Sequence, residues 1–177
     1  IERCESPKGF VRLRSETSFC VENMTGKPQQ YDFQSRVEPS AFAEVKAAGL
    51  ENATLEMGIA DAEKAAHRSV LAAPVDKAGV LVRSHPVTLP GHGKQWFRTV
   101  RVQYFPDNFY AVLDFLAPAS EGASVTLSPN PAFNTRVRFG ADPDIDPEVN
   151  AASGMRRWEY AGVLLPGQHL RLFWSPA

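Results

Sequence analysis

Residues 95–116 read QWFRTVRVQYFPDNFYAVLDFL, and this stretch decides the predicted fold. Apolar and polar side chains alternate before the tripeptide PDN at 106–108, and apolar side chains dominate after it. A period of two is typical of a β-strand, and proline followed by aspartate and asparagine is typical of a tight turn. The stretch therefore predicts a β-hairpin with arms Gln95–Phe105 and Phe109–Leu116. Because both faces of the second arm are mostly apolar, we expect it to be a central strand covered on two sides.

Shorter segments with strand character lie on both sides of this hairpin. Those after it are Ser124–Leu127, Thr135–Phe139, Trp158–Leu165 and Gln168–Trp174, the last two joined by a turn at Pro166-Gly167. Those before it are a strand at Gly79–Arg83, followed by a loop at 85–94, and a meander over 9–34 that turns at 15–17. Short strands separated by turns predict a mainly β fold, an antiparallel β-sandwich or a partly closed barrel, in one domain over residues 1–177.

Helical character is confined to residues 40–70. The segment 41–48 reads AFAEVKAA, follows Ser40 and precedes Gly49. Serine is a good residue before the first helical turn, and glycine is common just after the last one. A second segment, Asp61–Ala66, is rich in alanine, glutamate and lysine. We therefore expect one or two short helices in this region.

The composition argues against two classes of protein. The chain has 19 Lys and Arg against 20 Asp and Glu, a formal net charge of −1. Nucleic-acid binders usually carry a basic stripe and a high pI, so we expect no nucleic-acid partner. No apolar run approaches the ~20 residues that span a bilayer, so we expect no membrane span. The chain starts at Ile1, which is compatible with a removed signal peptide, a removed lipid-anchor segment or an experimentally chosen boundary.

Two cysteines, Cys4 and Cys20, lie near the start of the chain. Their spacing is not CxxC, and no further cysteine could complete a zinc site. In the predicted meander Cys20 lies on the second strand, where Cys4 could tie the leading segment to it. We therefore predict a disulfide between these two cysteines. Because disulfides persist in oxidising compartments, this predicts export to the periplasm or the extracellular space.

The acidic stretch DPDIDPE at 142–148 is the most suggestive of metal binding. Ca²⁺ takes about six to eight oxygen ligands, and acidic side chains recur here at every second residue. The candidate calcium ligands are Asp142, Asp144, Asp146 and Glu148. The prolines stiffen the stretch and hinder wrapping around one ion, so a solvated surface loop is the alternative. No other cofactor is indicated.

A second candidate metal site involves His85 and His92, which share the predicted loop 85–94. Two histidines make half of a metal site, for which Asp114 or His169 could supply a third ligand. An ordinary loop is the alternative. If a metal binds here, a metal-dependent hydrolase is the function that follows.

Other catalytic motifs are missing from the sequence. There is no G-x-S-x-G nucleophile elbow and no glycine-rich phosphate loop after a strand. Cysteines joined in a disulfide cannot act as nucleophiles. A Ser–His–Asp set scattered along the chain stays open, because such triads are recognised by geometry and not by order. The sequence therefore favours a function other than catalysis.

Aromatic side chains are the remaining candidates for ligand contact. Trp158 and Tyr160 share one face of a predicted strand beside Arg156, and Trp96 opens the predicted hairpin. Exposed tryptophan and tyrosine stack on sugars or anchor protein interfaces, whereas packing in the core is the alternative. We predict that these four residues bind a ligand.

The predicted function is that of an exported, non-enzymatic interaction domain. We expect it to act through contacts with another protein, as an accessory, adaptor or inhibitor protein does. The main observations behind this prediction are the β scaffold, the predicted disulfide and the long loops at 84–95 and 140–156. A carbohydrate-binding module with a glycan ligand is one alternative. A metal-dependent hydrolase centred on His85 and His92 is the other.

Overall fold

The fold is mainly β with several antiparallel sheets, as the sequence predicts. The computed structural model describes residues 1–50, 54–62, 65–75, 80–114, 123–140, 147–165 and 167–177. Within these ranges the elements in chain order are β1 (Glu2–Arg3), β2 (Phe10–Glu22), β3 (Gln29–Val37), α1 (Ala43–Ala47), β4 (Thr54–Ala60), β5 (Arg68–Ser69), β6 (Ala73–Val75), β7 (Leu81–Leu89), β8 (Lys94–Pro106), β9 (Phe109–Asp114), β10 (Ala123–Leu127), β11 (Phe133–Phe139), β12 (Glu148–Val149), β13 (Arg156–Tyr160) and β14 (His169–Pro176).

The chain divides into two compact units. Unit 1 comprises Ile1–Arg3, Gly9–Val11 and Phe105–Ala177, and unit 2 comprises Cys4–Lys8 and Arg12–Tyr104. Each unit has its own apolar interior, described separately below. The single domain over residues 1–177 stays a prediction.

The core of unit 2 lies between two sheets. Strands β2, β8, β4 and β5 lie side by side in this order, and β3, β7 and β6 form the second sheet. The ring centroids of Phe33 in β3 and Phe97 in β8 are 4.6 Å apart. Phe19 of β2 stacks on Phe97 at 5.4 Å, and Met57 and Ile59 of β4 pack into the same cluster. Because strand side chains alternate, Phe19 and Val21 of β2 enter this core from one side of their strand.

An ion pair on the opposite face links neighbouring strands of the larger sheet. Arg98 donates from Nε and Nη2 to the two carboxylate oxygens of Glu16 at 2.7 and 2.6 Å. The hydrogen bond from Arg98 is the main reason that the pKa of Glu16 lies below its ordinary value. This bidentate pair therefore joins β2 to β8 on the exposed side of the sheet.

Two turns of unit 2 are tied together by the side chain of Asn23, which is only 5% exposed. Its Nδ2 donates to the carbonyl oxygens of Lys27 at 2.8 Å and Pro90 at 2.9 Å, with a longer contact of 3.3 Å to Leu89. Its Oδ1 accepts the backbone N–H and the hydroxyl of Thr25 at 3.0 and 2.8 Å. One buried amide thus connects the turn after β2 to the turn after β7.

The same two turns approach each other closely at Gly91. A Cβ at this position would lie 2.5 Å from the carbonyl oxygen of Gly26 and 3.1 Å from the backbone nitrogen of Lys27. The N–H of His92 donates to the carbonyl oxygen of Thr25 at 2.9 Å. The backbones therefore leave no room for a side chain at Gly91.

Unit 1 is built from two three-stranded sheets, with the orders β11-β14-β9 and β10-β13-β12. Phe139 of β11 stacks on Tyr160 of β13 with ring centroids 5.5 Å apart. Leu172 and Trp174 of β14 and Trp158 of β13 are buried. The inner faces of the two sheets therefore enclose the core of this unit, as in a β-sandwich.

The predicted hairpin over 95–116 is wrong. β8 pairs with β4, whereas β9 pairs with β14 in a different sheet. The turn between β8 and β9 forms hydrogen bonds with distant parts of the chain. Asp107 donates its N–H to the carbonyl oxygen of Gly9 at 2.9 Å. The carbonyl oxygen of Pro106 accepts from Nε1 of Trp174, also at 2.9 Å. The chain therefore changes sheets at this turn.

The predicted hairpin at the C-terminal end is wrong as well. β13 pairs with β10 and β12, and β14 pairs with β11 and β9. The predicted loop at 85–94 is also mostly strand, since β7 continues to Leu89 and β8 begins at Lys94. In each case the individual extended segments exist, but their partners or limits differ from the prediction.

The predicted disulfide between Cys4 and Cys20 is absent, and both cysteines are thiols. The reason is that β2 is one strand of 13 residues, with no turn at 15–17 to bring its second half back. Extended chain rises about 3.3 Å per residue, which puts Cys20 about 33 Å from Phe10 along the strand. The six residues from Cys4 to Phe10 span at most about 22 Å, so Cys4 stays more than about 10 Å from Cys20. A disulfide requires Cα atoms within about 7 Å of each other. The inference of an oxidising compartment thereby loses its support.

The first predicted helix is confirmed in a shorter form. α1 covers Ala43–Ala47, and Gly49 has a φ of 69° just after its last turn, a conformation that suits glycine. Ser40 accepts the N–H of Phe42 at 3.3 Å, one residue before the helix begins. The second predicted helix, Asp61–Ala66, lies partly outside the described residues.

Candidate binding face

The predicted ligand-binding set consists of Trp96, Arg156, Trp158 and Tyr160. The last three share one face of β13, but this face points into unit 1. Trp158 is 1% exposed, and Tyr160 stacks on Phe139 of β11. Arg156 donates from Nη1 to the hydroxyl of Thr135 at 3.2 Å. Trp158 is therefore a core residue and not the exposed ligand contact that the sequence suggests, and Trp96 belongs to unit 2.

The predicted calcium ligands are only partly described. Asp142, Asp144 and Asp146 lie outside the described residues. Glu148 is exposed in β12, where its register partner is Arg157 of β13. The described part of the chain places no three His, Cys, Asp or Glu residues where they could hold a metal ion together.

The two histidines of the second candidate metal site are separated along the chain. His85 lies in the middle of β7, opposite Phe33 of β3, and His92 lies in the turn after this strand. The four residues from His85 to Leu89 already span about 13 Å of extended strand. The suggested third ligands, Asp114 of β9 and His169 of β14, lie opposite each other in unit 1, whereas the two histidines belong to unit 2.

A serine and an aspartate are in direct contact on the smaller sheet of unit 2. The hydroxyl of Ser84 donates to Asp32, which also accepts from the amide of Gln34 at 2.5 Å. Both bonds lower the pKa of Asp32, and the bond from Ser84 has the larger effect. His85 follows Ser84 in the strand, so its side chain lies on the opposite face. His85 therefore does not complete a Ser–His–Asp triad with this pair.

The sheet β11-β14-β9 carries an exposed face that the sequence analysis did not single out. In β14, Leu170, Leu172 and Trp174 are buried, so the alternating residues Arg171 and Phe173 point outward. The register aligns these with outward residues of the neighbouring strands. We call this surface the basic–aromatic face, and it consists of Tyr110, Val112, Arg136, Arg138, Arg171 and Phe173.

Two rows of side chains cross this face from β11 to β9. The first row contains Arg136, Phe173 and Tyr110, and the second contains Arg138, Arg171 and Val112. Register partners on an antiparallel ladder have Cα atoms about 4.5–5.5 Å apart, and successive rows are about 7 Å apart. All six side chains therefore lie within contact distance of a single bound segment.

Aromatic and cationic groups meet at Phe173. The guanidinium carbons of Arg136 and Arg138 lie 6.0 and 5.9 Å from the centre of its ring. The ring of Tyr110 is 5.8 Å away and tilted by 39°. Phe109 then stacks on Tyr110 at 5.0 Å. These contacts hold the exposed rings in place before any ligand arrives.

Apolar and charged groups are both accessible on this face. Tyr110 and Val112 are exposed by 44% and 45%, and Arg136, Arg138 and Arg171 are exposed. Two positive charges about 7 Å apart in water repel each other by about 0.6 kcal/mol. The face therefore combines exposed apolar surface with three guanidinium groups, although the whole chain has a net charge of −1.

Part of this face is visible in the sequence. The alternation in 135–139 puts Arg136 and Arg138 on one side of a strand, and that in 168–174 puts Arg171 and Phe173 on one side of another. What is missing is the information that these strands are neighbours. The intervening chain contains β12 and β13, which belong to the other sheet.

We find no match between this chain and any protein-family model, curated protein or solved structure with which it was compared. In the described ranges no helix has both the length and the apolar character needed to cross a membrane.

Proposed function

We propose that this protein is a non-enzymatic binding module that contacts another protein through the basic–aromatic face. The observation that carries this proposal is the joint exposure of Tyr110 and Val112 beside Phe173 and three arginines. Tyrosine and arginine are enriched among the residues that dominate binding energy at protein interfaces. No compartment is assigned to this function, because export was inferred from a disulfide that the structure does not contain.

The geometry of the face favours binding for a second reason. The rings of Phe109, Tyr110 and Phe173 support one another, so little side-chain freedom remains to be lost when a partner binds. Immobilising a flexible side chain costs about 0.5–1.5 kcal/mol on association. A preorganised aromatic pair avoids much of this cost. At the few interface residues that dominate binding, among which tyrosine is enriched, truncation to alanine costs about 2 kcal/mol or more.

Site-specific photocrosslinking tests this function. Benzoylphenylalanine replaces Tyr110 in one variant and Val163 in a matched control, since Val163 is an equally accessible residue of unit 1 outside the face, exposed by 52%. We expect a discrete protein adduct in native extract from position 110 and none from position 163. The adduct should disappear when Arg171→Glu is added. Equal labelling at both positions, or no adduct at position 110, would refute the function.

A further inference from the structure

We infer that a cavity at one end of unit 1 binds an aliphatic carboxylate, with Arg156 as the residue that pairs with the carboxylate group. The cavity lies between the sheets of this unit, where β10 ends and β11 and β13 begin. None of the residues of the basic–aromatic face lines it, so the inference does not rest on the proposed function. It is carried by the guanidinium group of Arg156, which has no carboxylate partner among the described residues and borders this cavity.

Both sheets contribute side chains to the walls of the cavity. Thr135 of β11 lies on the same side of its strand as the buried Phe133. Arg156 of β13 likewise shares a side with the buried Trp158, and its register partner is Leu127 of β10. The loop that follows β10 supplies the remaining wall. Arg156 therefore points between the sheets, toward the cavity, and not toward the outer surface of β13.

The loop wall is held in place by Asn130. Its Nδ2 donates to the carbonyl oxygen of Ile1 at 2.7 Å, and its Oδ1 accepts the N–H of Ala132 at 3.0 Å. The carbonyl oxygen of Asn130 accepts the N–H of Phe133 at 3.1 Å. The cavity is therefore formed before a ligand binds, and a preorganised site loses less conformational freedom on binding.

The charge of Arg156 has no counter-ion in the part of the chain that the structure describes. No carboxylate there lies within ion-pair distance of it, and its register partners Leu127 and Val149 are both apolar. The next residue, Arg157, points to the other side of β13, where its Nη2 lies 3.4 Å from a carboxylate oxygen of Glu159. The outer arginine thus has an acidic neighbour, whereas an anion in the cavity would supply the partner that Arg156 lacks.

The guanidinium group of Arg156 is oriented by Thr135, whose hydroxyl accepts from Nη1 at 3.2 Å. No second hydrogen bond from this group occurs within the described ranges, so its other N–H groups can bind a ligand. Arginine pairs with a carboxylate through two parallel N–H···O bonds. The hydroxyl of Ser128, which lines the same cavity, can donate a further hydrogen bond to the anion.

The other lining side chains define the rest of the ligand. Leu127, Pro129 and Phe133 are apolar, and the enclosed part of the cavity admits a group of only a few atoms. Small-molecule sites are typically apolar, with a few polar groups that fix the orientation of the ligand. A monocarboxylate with a short alkyl chain satisfies both features. Phosphate would place more charge beside a single guanidinium group and gain nothing from the apolar wall.

NMR titration of the isotope-labelled protein tests the inference, because the Nε–H of Arg156 and the backbone amides of the loop after β10 report from the cavity itself. The ligand is butyrate, and the matched probes are its neutral analogue butyramide and inorganic phosphate, in a buffer free of carboxylates and phosphate. We expect saturable shifts with butyrate, with a Kd on the order of 1–10 mM for so few atoms, and at least about fivefold weaker binding of the other two. Equal binding of butyramide, tighter binding of phosphate, or the absence of saturable shifts with butyrate would overturn the inference.

Four variants test the role of Arg156. Arg156→Gln removes the fork but can still bond to Thr135, and should weaken butyrate binding by about tenfold or more. Arg156→Lys keeps the charge without the fork and should bind with intermediate affinity. Ser128→Ala, at an exposed loop position, should lose about two- to threefold in affinity without a change in fold. Arg157→Gln, on the outer side of the same strand, is the matched control and should bind as the wild type does. An unchanged affinity in both Arg156→Gln and Ser128→Ala, or an equal loss in Arg157→Gln, would contradict the assignment.

Two sources can supply such a carboxylate, a free acid or the C-terminus of a peptide chain. Acetyl-alanyl-alanine and its C-terminal amide distinguish them in the same titration. Tighter binding of the peptide acid than of butyrate assigns the cavity to a chain terminus, and tighter binding of butyrate assigns it to a free acid. Either result supports the carboxylate site, whereas a peptide amide that binds more tightly than butyrate would refute it.

Discussion

Replacement of the buried Asn23 is the sharpest test of how unit 2 is held together. Asn23→Ala removes the amide that joins the turn after β2 to the turn after β7. The carbonyl oxygens of Lys27 and Pro90 then each lose one donor, and the N–H of Thr25 loses its acceptor. The Thr25 hydroxyl loses Oδ1 but can still donate to the carbonyl oxygen of Lys27 at 3.0 Å. Pro90 still accepts the N–H of Gly93 at 2.9 Å. These groups lie between two closely packed turns, where few waters can replace the lost amide.

The size of the effect follows from these hydrogen bonds. An amide NH₂ has two hydrogens, so its bonds at 2.8 and 2.9 Å are the strong ones and the 3.3 Å contact to Leu89 adds little. With the two bonds to Oδ1, four well-formed bonds are lost, of which the Thr25 hydroxyl can recover one by donating to the carbonyl oxygen of Lys27. At about 1 kcal/mol each, and with partial recovery by water, we expect Asn23→Ala to lower the free energy of unfolding by about 3 kcal/mol. For a chain of this size that corresponds to a fall in Tm of about 6–12 °C.

An isosteric variant separates hydrogen bonding from packing. Asn23→Asp keeps the shape and the acceptor but turns an oxygen toward the carbonyl groups, so the introduced carboxyl group is favoured in its protonated form. Its pKa in the folded protein therefore lies above the unfolded value of about 3.9. A group with a raised pKa loses its contribution as pH rises, so this variant should be least stable at neutral pH and recover toward pH 4 relative to the wild type.

Urea unfolding followed by circular dichroism measures these effects, with Asn134→Ala as the matched control. Asn134 is exposed, and its Nδ2 is 3.5 Å from the carbonyl oxygen of Pro176, so we expect a change within about 0.5 kcal/mol. The slope of the unfolding transition should stay constant in both alanine variants. If Asn23→Ala is as stable as Asn134→Ala, the tie between the turns does not stabilise the protein and the reasoning is refuted.

Three further predictions concern other contacts. Gly91→Ala should lower the free energy of unfolding, measured in urea, by about 1–3 kcal/mol, because the new Cβ would lie 2.5 Å from a backbone oxygen. Gly26→Ala should cost less, since the nearest atom to its new Cβ is 3.6 Å away. Equal losses in the two variants would contradict this prediction. Cys4 and Cys20 should both be alkylated in denaturant without reductant, giving two adducts by intact mass. Dithiothreitol should leave Tm unchanged. A protein that stays unlabelled under these conditions would instead contain the disulfide. Glu16→Gln should lower stability by less than about 1 kcal/mol at pH 7. Since the folded pKa of this glutamate is depressed, the difference should shrink as pH falls below 4.5, and a difference that persists in acid would contradict the ion pair.

Local structure could be predicted from the sequence wherever side-chain periodicity alone determines it. The alternation in residues 135–139 corresponds to β11, and the segment 41–49 contains α1 followed by a glycine with positive φ. The common face of Trp158 and Tyr160 was also predicted, because successive strand residues point to opposite sides. Which face of β13 is exposed to solvent was not predictable, because it depends on the sheet that covers this strand.

Strand pairing could not be predicted in the same way. The turn at 106–108 has good hairpin chemistry, yet Asp107 bonds to Gly9 and the carbonyl oxygen of Pro106 accepts from Trp174. These partners are distant in sequence, so local turn preferences carry no information about them. The disulfide prediction failed through the same kind of error, since it required a turn at 15–17 within what is one long strand.

The sequence by itself thus determined that this chain forms β-strands and which side chains share a face of each strand. Only the tertiary structure decided that β11, β14 and β9 are neighbours, and hence that Arg136, Arg171 and Tyr110 belong to one surface. The physical reason is that alternation is a property of a single extended segment, whereas a binding face is formed by side chains from several segments. Their alignment depends on long-range backbone hydrogen bonds and on the core that each sheet buries.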